Sequence, residues 1–121
     1  MKITKIEPFQ LALGDGPNAS KSAFVRIETE DGLFGLGEAS PMQGGYASLV
    51  VIARDMAPFL IGKDALDHAV LLDELFHRCV KLGPEGITTS ALAALDIALW
   101  DLKGKYLGRS TSCSAAPGRP A

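Results

Sequence analysis

Ten consecutive residues, Ala91-Leu92-Ala93-Ala94-Leu95-Asp96-Ile97-Ala98-Leu99-Trp100, carry one charge between them, and their alanines and leucines favour a helix. A helix that is apolar nearly all round is stable only when other elements cover it on several sides. The rest of the chain therefore has to supply those elements. Its 121 residues suffice for one compact domain with a single core. This helix is expected to be capped by Thr88, Thr89 or Ser90 and to run to about Leu107, with Gly108 as its stop.

The cover is predicted to be a sheet and two further helices. Residues 2–13 have extended character, through Ile3, Ile6, Phe9, Leu11 and Leu13. Gly14-Asp15-Gly16-Pro17-Asn18 is a turn-rich loop. Residues 22–30 then alternate, with Val25 and Ile27 on one face and Arg26 and Glu28 on the other. Glu30-Asp31-Gly32 is a hairpin signal, and residues 33–39 return as a third strand. The first third is thus a three-stranded antiparallel meander. Beyond Ser40-Pro41-Met42-Gln43-Gly44-Gly45 the period becomes helical. Leu49, Ile52, Ala53 and Met56 mark a helix over residues 46–59 that Pro58 limits. Asp64 is the expected N-cap of a second helix, whose predicted buried face is Leu66, Ala69, Val70, Phe76, Cys79 and Val80. The fold class is α+β, a three-stranded meander followed by a bundle of about three helices.

Charge and composition exclude several functions. Twelve basic and 14 acidic residues leave a net charge of −2, with no basic stripe to neutralise phosphates, so nucleic acid is not an expected partner. No uninterrupted apolar stretch is long enough for a membrane span, and residues 1–5 lead into a strand without a signal-peptide core; a cytoplasmic location is expected. Cys79 and Cys113 do not make a disulfide framework; Cys79 reads as a small buried hydrophobe. The mean hydropathy of +0.18 points to apolar surface that something else covers.

Two segments carry a resemblance. One is Val25-Arg26-Ile27-Glu28-Thr29-Glu30-Asp31-Gly32-Leu33-Phe34-Gly35-Leu36-Gly37-Glu38-Ala39. The other begins at Ser90, includes the apolar run, and continues Asp101-Leu102-Lys103-Gly104-Lys105-Tyr106-Leu107-Gly108. Together they resemble the N-terminal capping domain of the mandelate racemase and muconate lactonizing branch of the enolase superfamily, in order and spacing over residues 1 to about 109. The resemblance implies a full-length parent in which a modified (β/α) barrel supplies three acidic ligands, usually for Mg²⁺, and the bases that remove a proton α to a carboxylate. The parent would be a racemase, a cycloisomerase or an acid-sugar dehydratase. The barrel is the implied partner, and this chain alone is expected to be inactive, with no catalytic residue and no metal site of its own.

In such relatives the loop between the first two strands and the loop after the third close the barrel mouth. Here these are about residues 14–22 and 40–46, and Met42, Gln43 and Tyr46 are the implied substrate contacts. Residues 110–121 have no period and no core residues and read as a disordered, non-family tail. Back-translated with GC-rich codons, Ser112 to Gly118 gives Leu-Leu-Gly-Gly-Ala-Arg in another frame, which resembles the family's entry into the barrel. A frame change near residues 107–111 is the corresponding expectation for how the chain ends. The alternative function is a stand-alone binding or oligomerisation module that self-associates through exposed apolar surface.

Other motifs have structural readings. Lys103-Gly104-Lys105 lies in the last turns of a helix, where cations suit the negative end of the macrodipole, and is not read as catalytic. Gly35-Leu36-Gly37 lacks the third glycine of a dinucleotide fingerprint and more simply admits a close backbone approach. Glu38 reads as a solvated or hydrogen-bonded strand residue. Asp101 can reach Lys105 at i+4, whereas Asp96 needs a partner that the sequence does not identify. His68 and His77, nine positions apart, read as surface or boundary residues.

Overall fold

The computed structural model describes residues 1–17, 19–39, 45–83 and 85–108, apart from the side chain of Leu13. Alternation in the second strand sets the layering. Strands β1 (Ile3–Leu13), β2 (Ser20–Thr29) and β3 (Phe34–Ala39) form an antiparallel sheet in the order β1-β2-β3. Ala23, Val25 and Ile27 are fully buried on one face, while Phe24, Arg26 and Glu28 keep partial access on the other. The β2–β3 turn closes where the sequence predicts: Gly32, at φ 81°, donates its N–H to the Thr29 carbonyl at 3.1 Å.

The first helix is one apolar stripe interrupted by a wider turn. Helix α1 (Tyr46–Val51) passes through a π turn (Ile52–Met56) into α2 (Ala57–Leu60). Leu49, Ile52, Met56 and Leu60 face the core, while Ala53 is exposed, contrary to the simple helical period. Pro58 does not end the helix, because it falls in the first turn after the π segment, where a missing N–H is tolerated.

Helix α3 (His68–Arg78) starts later than expected and is rotated. Its N-cap residue is Asp67, not Asp64. Asp64 instead accepts the Leu66 N–H at 3.0 Å and pairs with the N-terminal ammonium at 3.4 Å. That segment staples the start of β1: Ile3 N–H donates to Lys63 O at 2.9 Å, and Gly62 N–H to Ile3 O at 2.8 Å. The buried stripe of α3 is His68, Leu71 and Leu75, followed by Cys79. Leu66, Ala69, Val70, Phe76 and Val80, which the sequence placed inside, are exposed. A 3₁₀ turn (Val80–Leu82) follows.

Helix α4 (Ile87–Tyr106) is the central element, with Ala91, Ala94, Leu95, Ala98, Leu99 and Leu102 fully buried. Its N-cap residue is Gly86; Thr88, Thr89 and Ser90 lie inside the helix. Full burial of each leucine contributes about 1.5–3 kcal/mol before entropy is counted. The sheet face, α1 and α3 cover most of the helix, but Ile97 remains 47% exposed. No described helix is long and apolar enough to cross a membrane.

Candidate functional site

Antiparallel pairing decides which loops meet. Leu13 pairs with Ser20 and Ala23 with Ala39, so the β1–β2 loop and the end of β3 leave the sheet at the same end. Helix α4 runs antiparallel to β3. A Cβ built on Gly37 would stand 1.9 Å from Ala94 O, and one on Gly35 would stand 2.1 Å from Ala98 O. These two glycines admit the helix backbone, as the sequence suggested. The same direction brings the α4 N-terminus to the loop end of the sheet. Ser48 Oγ donates to Ile87 O at 3.5 Å and fixes the start of α1 beside it.

The β1–β2 loop, the end of β3, Tyr46 and Ile87 therefore form one rim. Tyr46 is 68% exposed and Ile87 is 44% exposed, so both offer apolar surface to whatever covers that end. Asp15, Lys21 and Glu85 add exposed charge along it. Of the three implied substrate contacts, Tyr46 is on this rim, and Met42 and Gln43 lie outside the described residues. Residues 109–121, including Cys113, lie outside them as well.

Away from the rim, two polar pairs fasten α4. His68 Nε2 hydrogen-bonds Asp96 Oδ1, and the imidazole meets the Trp100 ring edge-on at 4.7 Å between centroids. Asp96 thus finds its partner 28 residues upstream, on the first turn of α3. His68 is buried rather than a surface residue, and only His77, on the exposed side, matches that reading. Two sequence signals bear on this pair: an acid in an apolar helix requires a partner, and a histidine opens a neighbouring helix. Neither states the rotation that joins them.

The second pair is Asp101–Lys105, at 3.2 Å as the i+4 spacing predicts. It does more than steady the helix. Asp101 Oδ2 accepts the Leu36 N–H at 3.0 Å, and Lys105 Nζ donates to Phe34 O at 2.7 Å and lies 3.9 Å from the Phe34 ring centre. Lys103 lies 4.9 Å from the centre of the Trp100 ring. Both lysines thus have structural partners.

A cleft of about 480 Å³ is lined by Asp55, Arg78, Cys79, Lys81 and Leu82. Its cations sit at the C-terminal end of α3, where the helix dipole favours them, and Arg78 also lies over the Phe59 ring at 4.7 Å. Burial pushes the Cys79 thiol up from its usual range, with Asp55 adding to the effect, which makes it a poor nucleophile at neutral pH. Among the described residues no three histidine, cysteine or acidic side chains are placed to hold a metal ion. The described residues do not fit a Mg²⁺ centre.

Known proteins share this arrangement. The sequence profile described as Mandelate racemase / muconate lactonizing enzyme, N-terminal domain matches residues 1–112. A mandelate racemase/muconate lactonizing protein from Paracoccus denitrificans PD1222, solved in complex with magnesium, superposes with a TM-score of 0.88 at 63% identity; the match covers 95% of this chain and 30% of that one. A D-galactonate dehydratase family member from Streptomyces sp. (strain SPB074) is 36% identical over 113 residues, covering 89% of this chain and 24% of its relative. A 3,6-anhydro-alpha-L-galactonate cycloisomerase from Streptomyces coelicolor is 41% identical over 81 residues, which is 66% of this chain and 22% of that protein. The chain thus spans about a quarter of the length of these curated relatives. It belongs, as an N-terminal domain, to the mandelate racemase/muconate lactonizing enzyme family of the enolase superfamily.

Proposed function

We propose that residues 1–109 are the capping domain of a Mg²⁺-dependent enzyme that removes a proton α to the carboxylate of an acid sugar, as a dehydratase or cycloisomerase. The observation that carries this reading is the match to the magnesium-containing Paracoccus protein, which spans nearly the whole of this chain but under a third of that one. The names of the curated relatives support an acid-sugar substrate. In this reading the metal stabilises charge that develops on the carboxylate oxygens, and a barrel domain holds both metal and base. The part left to this chain is closure. The β1–β2 loop and Tyr46, with Met42 and Gln43 from the connection after β3, cover the substrate and exclude water.

Two measurements test it. Sequencing the source genome across the codons for residues 107–121 and beyond should reveal a frame encoding barrel strands with a Lys-x-Lys pair and three spaced acids. Absence of such a frame would overturn the enzyme reading in favour of a stand-alone module. The 121-residue chain, mixed with Mg²⁺ and a panel of acid sugars, should give no turnover above buffer. Turnover by this chain would place chemistry in it and sink the division of labour.

A further inference from the structure

Three charge pairs on the surface are neutralised locally: Lys5–Glu7 at 3.3 Å, Arg26–Glu28 at 3.0 Å and Asp101–Lys105 at 3.2 Å. The cleft of about 480 Å³ departs from that pattern. Arg78 and Lys81 line it together with Asp55, all three exposed, yet among the described residues none of them is in an ion pair. Their elements hold them apart. Asp55 sits in the π turn, a rare feature that recurs at functional sites. Arg78 ends α3 with its guanidinium 4.7 Å from the centre of the Phe59 ring. The Lys63 ammonium lies 5.1 Å from the same centre, so Phe59 keeps a second cation near Arg78 rather than a carboxylate. Lys81 follows in the 3₁₀ turn. Burial and then Asp55 raise the pKa of the Cys79 thiol, and Arg78 opposes them, so both charges act on the inner wall of the cleft. Cys79 and Leu82 give the cleft an apolar side.

We propose that this cleft binds an acidic amino acid, whose two carboxylates meet Arg78 and Lys81 and whose ammonium meets Asp55. The charges match one for one. Two cations against one acid leave the lining with a surplus of one positive charge, and an acidic amino acid carries one net negative charge. Other small anions fit less well. A plain dicarboxylate would leave Asp55 facing negative charge, and inorganic phosphate would concentrate that charge opposite it. An amino acid with a single carboxylate would leave one of the two cations unpaired. The Arg78 guanidinium also suits a carboxylate, because its planar fork can donate two parallel hydrogen bonds. The volume lies within the range of small-molecule sites, and the apolar side gives the ligand's methylenes a surface to rest on. An open, exposed cleft of this kind makes a weak site, since water and salt screen each contact. This inference concerns the 121-residue chain itself and does not depend on the enzyme reading.

The test is a titration of the full chain with L-glutamate, followed by the amide NMR signals of Asp55, Cys79, Lys81 and Leu82. Ligand runs up to about 50 mM at constant ionic strength, a range that brackets a millimolar Kd. The expected result is a set of saturable shifts at these four amides. Glutarate lacks the ammonium and 4-aminobutanoate lacks one carboxylate, so each should bind about fivefold more weakly than glutamate. Asp55→Ala should erase the preference for glutamate over glutarate, and Lys81→Gln the preference over 4-aminobutanoate. Both residues are exposed, so neither substitution disturbs the core, and the amide spectrum of each variant shows that it is folded. Shifts that never saturate at the cleft overturn the proposal. So does glutarate, 4-aminobutanoate or inorganic phosphate that binds the parent chain as tightly as glutamate. A preference that survives its substitution in folded Asp55→Ala or Lys81→Gln would overturn it as well.

Discussion

His68 and Gly37 show two ways in which one residue sets the packing of this domain. The His68 imidazole is buried and hydrogen-bonded, but the Asp96 side chain is 45% exposed. His68→Ala therefore leaves a carboxylate that water can partly re-solvate, and it opens a void beside Trp100. The expected loss is about 1–2 kcal/mol, below the 3–5 kcal/mol of a fully buried broken pair. A urea titration of the variant, with Asp96→Asn and the double variant to complete the cycle, measures it; purely additive effects would mean that the pair contributes nothing. Gly37→Ala is predicted to be worse. Its Cβ would collide with the Ala94 carbonyl carbon and oxygen, backbone atoms that cannot swing aside as a flexible side chain can. Sheet and helix must separate, at a cost of about 3 kcal/mol or more, the upper end for overpacking. A thermal melt within a degree or two of the parent would contradict this. The close approach at Gly37 was legible in the sequence, since a glycine in a strand has few other uses. The His68–Asp96 contact was not, because it depends on how α3 is rotated.

That rotation is the main point at the level of elements where the sequence misleads. Val70 and Phe76 are as hydrophobic as Leu71 and Leu75, so two overlapping stripes are available on α3. The His68 contact and the late start at Asp67 select the second. The meander and α4 were legible for the opposite reason: β2 alternates cleanly, and the α4 run has no polar face to offer solvent. Two predictions belong here. Asp101→Ala removes the acceptor of the Leu36 N–H, so that amide should exchange with solvent about tenfold faster or more, as expected for the loss of a bond worth about 1.5 kcal/mol. Unchanged exchange would show that the helix–edge contact is incidental. At the start of β1, the Leu66 N–H and then the N-terminal ammonium hold the Asp64 carboxyl below its usual pKa. A folded-state value below the unfolded one means that the ionised group stabilises the fold above the unfolded pKa of about 3.9, and that this stability is lost as pH falls through the folded value. Asp64→Asn should thus be slightly less stable than the parent at pH 7, and the two should converge in strong acid. The carboxylate is 46% exposed, so screening keeps the difference small. A gap of equal size at both pH values would rule out ionisation as its source.

For the molecule as a whole, the described residues combine into a domain with a fastened interior and an apolar periphery. The core is closed by α4, while Tyr46, Val70, Val80, Leu82, Ile87, Tyr106 and Leu107 remain exposed around it. Exposed apolar surface spread over so many elements supports the proposal that a further domain covers part of it. The absence of a three-ligand cluster among the described residues gives this view a thermodynamic test. A ligand that binds only the folded state raises stability by RT ln(1 + [L]/Kd), about 2.7 kcal/mol at a hundredfold excess over Kd. Millimolar Mg²⁺ should therefore leave the melting temperature of this chain where an equal ionic strength of NaCl leaves it. The longer protein proposed above, with its barrel, should melt several degrees higher with Mg²⁺ than without. A Mg²⁺-specific rise in the 121-residue chain would reveal a metal site within it and would require the division between cap and catalytic domain to be redrawn.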